Sequence, residues 1–167
     1  MIAASGGQTG PGNGGAVLRC CAFQVADRWF AIETARISEV LRGQRTTPVP
    51  LAHAAVRGLL NLRGRIVPVI DMRIRLGLAA ATAAADVAGR TIIVIEVDDE
   101  TFSLLVDRLA DVVEIPVRSI EPPTTADRPG QDAIDGVWAA RFGLMHLLDT
   151  GRLVAGIAAA TAERKAR

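Results

Sequence analysis

The stretch "GLLNLRGRIVPVID", Gly58 to Asp71, decides the fold, because the chain carries it twice. "GVWAARFGLMHLLD", Gly136 to Asp149, lies over it without a gap. Gly58 falls on Gly136, Arg63 on Arg141 and Asp71 on Asp149. Each copy is two apolar runs around a short turn, the pattern of a hairpin. In the first copy the turn is Arg63-Gly64. Pro68 has no N–H to donate, which predicts an edge or bulge position for its strand.

A second match lies upstream of each copy. "VADRWFAIETARISEV" (25–40) overlays "VDDETFSLLVDRLADV" (97–112), placing Phe30 on Phe102, Arg36 on Arg108, Glu39 on Asp111 and Val40 on Val112. Both copies then run into a proline loop, "PVP" and "EPP". The two matches need different offsets, so the intervening loops differ in length. The period is too long for a solenoid. It predicts two similar β units, each of about five strands, the size at which antiparallel strands close into small barrels and lose their exposed edges. Each unit is small for a core of its own, so the two should share an apolar interface.

The rest of the chain fits around these strands. "VLRCCAFQV" (17–25) and "WFAIE" (29–33) form a first hairpin, and "TIIVIEV" (91–97) with "TFSLLVD" (101–107) its repeat. "MRIRLGL" (72–78) reads as one helical turn and "AAATAAADVAG" (79–89) as a connector. "TGRLVAGIAAATAERKA" reads as a terminal helix with Leu153, Val154 and Ile157 on one face. The expected organisation is a flexible tail over 1–16 and one domain over 17–155, followed by a helix and tail over 150–167. Within the domain, the units should span about 17–78 and 90–150.

Composition excludes several classes. Half of the 167 residues are hydrophobic and the formal net charge is +1, the balance of a globular protein rather than a disordered or nucleic-acid-coating one. The Gly-rich N-terminus lacks the charged and apolar regions of a secretory signal, and no apolar run approaches a membrane span. Cys20 and Cys21 are adjacent and make no disulfide framework. These features predict a cytoplasmic protein.

No catalytic, cofactor or metal set is visible. His53 and His146 stand at no ligand-like spacing from Cys, Asp or Glu. None of the four Ser lies in a nucleophile elbow, and no phosphate-binding glycine loop occurs. "DDE" at 98–100 reads as a tight acidic turn. Arg57, Arg63, Arg65, Arg73 and Arg75 form a local basic set, so a small-barrel binder of nucleic acid or ligand is the alternative class. Tyr is absent and the Phe are scattered, which supports no stacking platform. What remains is an interaction protein. Arg63 on a Gly-assisted turn presents a planar fork suited to carboxylates, with a stem that packs on apolar surface.

These residues resemble the CheW family of bacterial chemotaxis adaptors. "FQVADRWFAIETARISEV" is similar to that family's first hairpin and following strand. "TPVPLAHAAVRGLLNLRGRIVPVIDMRIRLGL" is similar to its central signature, and "TIIVIEVDDETFSLLVDRLADVVEI" to the opening of its second half. The resemblance runs from about Leu18 to Val154 and departs from the family pattern at Trp138 and His146.

The resemblance implies a mostly β chain of two SH3-like five-stranded barrel subdomains related by a pseudo-two-fold axis, with short helices and a C-terminal helix. It implies no catalysis and no cofactor. The implied partners are the cytoplasmic tip of methyl-accepting chemoreceptors and the regulatory domain of a CheA-type histidine kinase. It implies no nucleic-acid partner, no membrane insertion, and a protein that is a monomer alone and is recruited from the cytoplasm to membrane receptor arrays. The receptor contact would fall on Ile37, Glu39, Gly58, Asn61, Arg63 and Val112. The kinase contact would fall on Thr91, Ile92 and Ile93, read as an unpaired strand edge.

Overall fold

Alternation of apolar and polar residues, interrupted by short turns, produces ten strands in the computed structural model, which describes residues 15–78, 89–124 and 130–165. The tail expected over 1–16 and the connector over 79–89 lie almost wholly outside the described residues. The strands are β1 Val17–Val25, β2 Arg28–Glu33, β3 Ile37–Arg42, β4 Val56–Leu62, β5 Arg65–Asp71, β6 Thr91–Val97, β7 Glu100–Val106, β8 Arg108–Pro116, β9 Ile134–Ala140 and β10 Gly143–Leu148. Helix α1, Met72–Arg75, follows β5, and helix α2, Thr150–Lys165, follows β10.

Two five-stranded sheets result, in the orders β8-β1-β2-β10-β9 and β3-β6-β7-β5-β4. Numbered within each half, both orders read third, first, second, fifth, fourth. In both, the first hairpin comes from one half and the other three strands from the other half. The sheets therefore do not follow the expected division at 17–78 and 90–150. The chain changes sheet at the 3-10 turn Thr34–Arg36, between β2 and β3, and again at Asp107, between β7 and β8. A repeat shows which strands are alike; it does not say which copy each will pair with, because like strands compete for the same ladder.

The central strands of the two sheets are largely buried on both faces. One face of each meets a shared core holding Phe23, Phe30 and Ile32 from one sheet with Ile70, Ile93, Ile95 and Leu104 from the other. The opposite faces enclose private cores: Cys20, Ala22, Ala31, Ile115, Met145 and Leu147 in one sheet, and Leu60, Val69, Ile92, Val94 and Leu105 in the other. This is why "TIIVIEV" is continuously apolar: Ile93 and Ile95 face the shared core while Ile92 and Val94 face the private one. Leu153, Val154 and Ile157 bury the expected face of α2 in the shared core. Each such aliphatic side chain contributes about 1.5–3 kcal/mol.

Pro68 is a correction. Its strand, β5, is internal, between β4 and β7. Pro68 pairs with Leu59, whose N–H and C=O both bond to Thr47 on the far side. The pair is thus a non-hydrogen-bonded one, and the ladder to β7 begins only at Val69. The missing N–H falls where no partner strand asks for it.

The outer strands of each sheet are drawn together at equivalent points. Thr47, downstream of β3, exchanges both backbone hydrogen bonds with Leu59 of β4, at 2.9 and 2.8 Å. Glu121, downstream of β8, does the same with Val137 of β9, both at 2.9 Å. Gly58 and Gly136 sit beneath these bridges. A Cβ on Gly58 would stand 2.5 Å from the Thr47 carbonyl oxygen, and one on Gly136 2.5 Å from Ile120 Cγ2.

Candidate functional site

The β4–β5 turn is built to display Arg63. Leu62 pairs with Arg65, leaving Arg63 and Gly64 as a two-residue loop. Both have positive φ, 52° and 84°, the mirror-type turn whose twist matches flanking strands. A non-Gly residue in that region is strained, and Asn61 holds it there: its Oδ1 accepts from Gly64 N at 2.9 Å. The Arg63 side chain is 81% exposed and donates through Nη2 to Glu39 Oε2 at 3.1 Å. Glu39 lies on β3, at the opposite end of the sheet order from β4, so this ion pair spans the same seam as the Thr47–Leu59 bridge.

The structure thus brings Glu39, Asn61 and Arg63 into one cluster. Ile37 is half-buried against the shared core. Gly58 is covered by Thr47 rather than open to a partner; its glycine identity serves the close approach described above. Val112 lies on β8, at an edge of the other sheet, and is 52% exposed. Its repeat partner Val40 is also exposed, next to Glu39 along β3 but on the other face of the strand, and the expected site omitted it.

Thr91, Ile92 and Ile93 do not form an open edge. Strand β6 is paired along this stretch with β3 on one side and β7 on the other. All three residues are buried. The run is apolar because both faces are covered, not because it awaits a partner. Exposed apolar side chains lie elsewhere, Leu51 among them; those at the hairpin tips are Ile66 after the β4–β5 turn and, at its repeat, Phe142 and Leu144, with the Phe142 ring centroid 4.6 Å from that of Trp29. Equivalence of Ile66 and Leu144 under the repeat was the signal that could have found them.

The two unplaced residues of the second copy are accounted for by packing. Trp138 lies against the private core of its sheet. His146 is buried, with Nδ1 3.0 Å from the Trp29 carbonyl and Nε2 2.7 Å from Arg28 Nη2. Nδ1 must donate to the carbonyl, so Nε2 is left to accept from the guanidinium. Burial, and then the Arg28 charge, hold its pKa below the usual imidazole value, against the backbone bond to Trp29. Cys20 is pushed up to about 11 by burial, then by Glu33 and Cys21, so it is no nucleophile at neutral pH. Among the described residues no helix is long and apolar enough to cross a membrane.

With this geometry in hand, three comparisons bear on the chain. The family model for the CheW-like domain matches residues 19–158. The "Chemotaxis protein CheW" of Rhizobium meliloti is 36% identical over 110 residues, covering 66% of this chain and 68% of that one. "Protein PilI" of Pseudomonas aeruginosa is 29% identical over 107 residues, covering 62% and 58%. The crystal structure of the scaffolding protein TtCheW from Thermoanaerobacter tengcongensis matches with a TM-score of 0.71 at 25% identity, covering 80% of this chain and 90% of that one.

Proposed function

The chain belongs to the CheW-like domain family, and from that premise we propose that it is a non-catalytic signalling adaptor coupling chemoreceptors to a CheA-type histidine kinase in bacterial chemotaxis. The observation that carries the receptor contact is Arg63: a guanidinium fixed at its backbone by a two-residue turn, four-fifths exposed, at the seam of a sheet. A rigid, displayed charge beside apolar side chains sets register and partner choice more than raw affinity. Glu39, Asn61, Arg63, Val40 and Val112 are the residues that a helical receptor tip would meet; Ile37 and Gly58 support them from beneath. The kinase regulatory domain would dock on exposed apolar side chains of the hairpin tips, Ile66 or Phe142 and Leu144, instead of on the buried β6. The protein would act in the cytoplasm at membrane receptor arrays.

Arg63→Glu should abolish receptor-dependent kinase activation while leaving the melting temperature within a degree or two. A loss of several degrees would instead make Arg63 a structural turn residue. Calorimetry against the kinase regulatory domain should show binding that survives moderate salt, because its centre is apolar. Steep loss with salt would favour a phosphate-binding role. The similarity to PilI, a relative not named for chemotaxis, favours one second reading: the same adaptor chemistry in another pathway, such as twitching motility or second-messenger signalling.

A further inference from the structure

We propose that His146 is a pH-operated latch: neutral, it ties Arg28 and Trp29 of β2 to the β9–β10 hairpin, and protonated, it expels Arg28 and loosens the hairpin tip. The imidazole joins two consecutive residues of β2, with Nδ1 3.0 Å from the Trp29 carbonyl and Nε2 2.7 Å from Arg28 Nη2. A carbonyl only accepts, so the proton of the neutral ring is on Nδ1. A guanidinium only donates, so Nε2 offers it a lone pair. A second proton has no site but Nε2, where it would point at a cation 2.7 Å away. The Arg28–His146 bond therefore exists only while the ring is neutral.

The latch sits where the hairpin meets the rest of its sheet. Strands β2 and β10 pair in parallel from Met145 to Leu147 against Trp29 to Ala31, so the ladder starts at the residues beside the imidazole. The other sheet has Pro68 where this one has His146, and its parallel ladder runs from Val69 to Asp71 against Ser103 to Leu105. Under the repeat Val69 corresponds to Leu147, so that ladder begins farther from its hairpin tip than the one that starts at Met145. The tip end of β10 is thus held to β2 by pairs that the other sheet lacks, and by the latch. Phe142 and Leu144 are exposed at that end, and the Trp29 ring lies against Phe142. Any partner seated on Phe142 and Leu144 would meet a surface whose order changes with pH.

The surroundings make the switch depend on this one proton. On β2 the charged group at the ring is Arg28, and Phe30 packs beside it, ring centroids 5.3 Å apart. On β9 the residue opposite is Val137, and that strand's acid, Asp135, pairs with Arg152. Asp107 holds the same β1–β2 turn through Ala26 N and is itself engaged by Arg73 and Arg90. Among the described residues no carboxylate contacts the imidazole, so none offsets a positive ring. The Phe30 face lies under the Arg28 guanidinium at 5.6 Å and would attract the imidazolium once Arg28 has left. Burial first, and the Arg28 charge with it, outweigh the bond to Trp29 and place the transition below the ordinary 6.5. The latch is closed at neutral pH and opens as pH falls.

The test is NMR of the full chain between about pH 8 and 5, following the His146 ring nitrogens, the Arg28 Nε–H and amide hydrogen-exchange protection. At the alkaline end the ring should carry its proton on Nδ1. On acidification the Arg28 signal should move with the His146 midpoint, and protection over Gly143 to Met145 should fall at least tenfold. The matched stretch Arg65 to Val67 should keep its protection, which separates opening of one tip from unfolding of the whole. His146→Gln should abolish both changes, and His53→Gln, at the other histidine, should leave them. Arg28→Gln should raise the His146 midpoint, because the ring loses its cationic neighbour; this variant decides the matter should melting curves show that His146→Gln does not fold. A neutral ring protonated at Nε2, an Arg28 signal indifferent to the titration, or equal loss of protection at both tips would overturn the proposal. So would changes that survive His146→Gln, or a midpoint that Arg28→Gln leaves in place. None of these outcomes depends on the receptor or kinase reading.

Discussion

At one crossing between the sheets the protein keeps three arginines wrapped around Asp71 and Asp107; at the matched crossing the same helix-capping carboxylate, Asp149, faces solvent across a polar cleft. The backbone at the two places is alike down to its hydrogen bonds: Asp71 N donates to Ala55 O at 2.7 Å and Asp149 N to Ala133 O at 2.9 Å. The charges are not alike. What the two halves share is strand order, seam glycines and a helix-capping Asp. Side chains outside those roles are free to diverge, one copy toward internal pairing and the other toward the surface.

The comparison breaks most severely at Arg90. Replacing it by the residue of the other copy, Arg90→Leu, leaves Asp71 and Asp107 buried with fewer partners, which should cost about 3–5 kcal/mol in urea unfolding. Adding Asp107→Ala, again the residue of the other copy, should deepen that loss rather than recover it, because Arg73 and the Ala26 N–H then lose the carboxylate they share. A cost below about 1 kcal/mol for the single change would make this network no stronger than a surface ion pair.

The seam glycines come next. Gly58→Ala drives a methyl against the backbone carbonyl of Thr47, a residue held to Leu59 through both its N–H and its C=O, so the edge strand must move. About 1–3 kcal/mol is expected. Gly136→Ala meets the Ile120 side chain first and the Glu121 carbonyl only at 3.3 Å, so a shift of one methyl relieves most of it. Thermal denaturation of the two variants should rank Gly58→Ala as the more damaging. The reverse order would mean that the two bridges do not bear equally on their sheets.

A third contrast is set by pH. His146 and Pro68 occupy matched positions in β10 and β5, so only one sheet carries a titrating group there. The native pKa of His146 lies below the ordinary 6.5, so the unfolded chain takes up the proton first. Its contribution is therefore full above about pH 6.5 and is lost as pH falls through that value toward the native one. Denaturant unfolding between pH 8 and 5 should show a decline in stability that His146→Gln flattens. An unchanged slope would place the acid sensitivity elsewhere.

Much of this was legible in the sequence, and the failures share a cause. Hairpins, strand identities, α1, the terminal helix and the shared interface follow from local periodicity, and the Asn61–Gly64 turn from its chemistry. Which sheet each strand joins was not legible, because β1 and β6 offer equivalent ladders. Nor was the burial of Thr91 to Ile93: a continuous apolar run reads alike as an open sticky edge or as a strand covered on both faces. Of the expected receptor residues, Glu39, Asn61 and Arg63 cluster as a unit because one turn and one seam place them. Gly58 is explained by what crosses over it, a contact more than ten residues away along the chain. The arginine network needs β4, β5, α1, the entry to β6 and the β7–β8 crossing to converge, and no local pattern announces that.

The smallest expected effect sharpens the contrast between the seams themselves. Glu39 and Arg63 join across the first seam; at the second, the matched Asp111 and Arg141 form no ion pair among the described residues. Asp111 is one methylene shorter than Glu39. With Arg63 four-fifths exposed, the Glu39–Arg63 pair is screened by solvent and must order a long side chain, which leaves a coupling of about 0.2–1 kcal/mol. A double-mutant cycle with Glu39→Gln and Arg63→Gln, read by urea unfolding, should fall in that range and shrink in high salt. The same cycle with Asp111→Asn and Arg141→Gln should give no coupling. Coupling well above 1 kcal/mol at the first seam would mean that the pair helps to hold the sheet edges together, and Arg63 would then be poorly placed to exchange Glu39 for a partner's carboxylate. A weak coupling leaves the guanidinium free to do so at little cost to the fold.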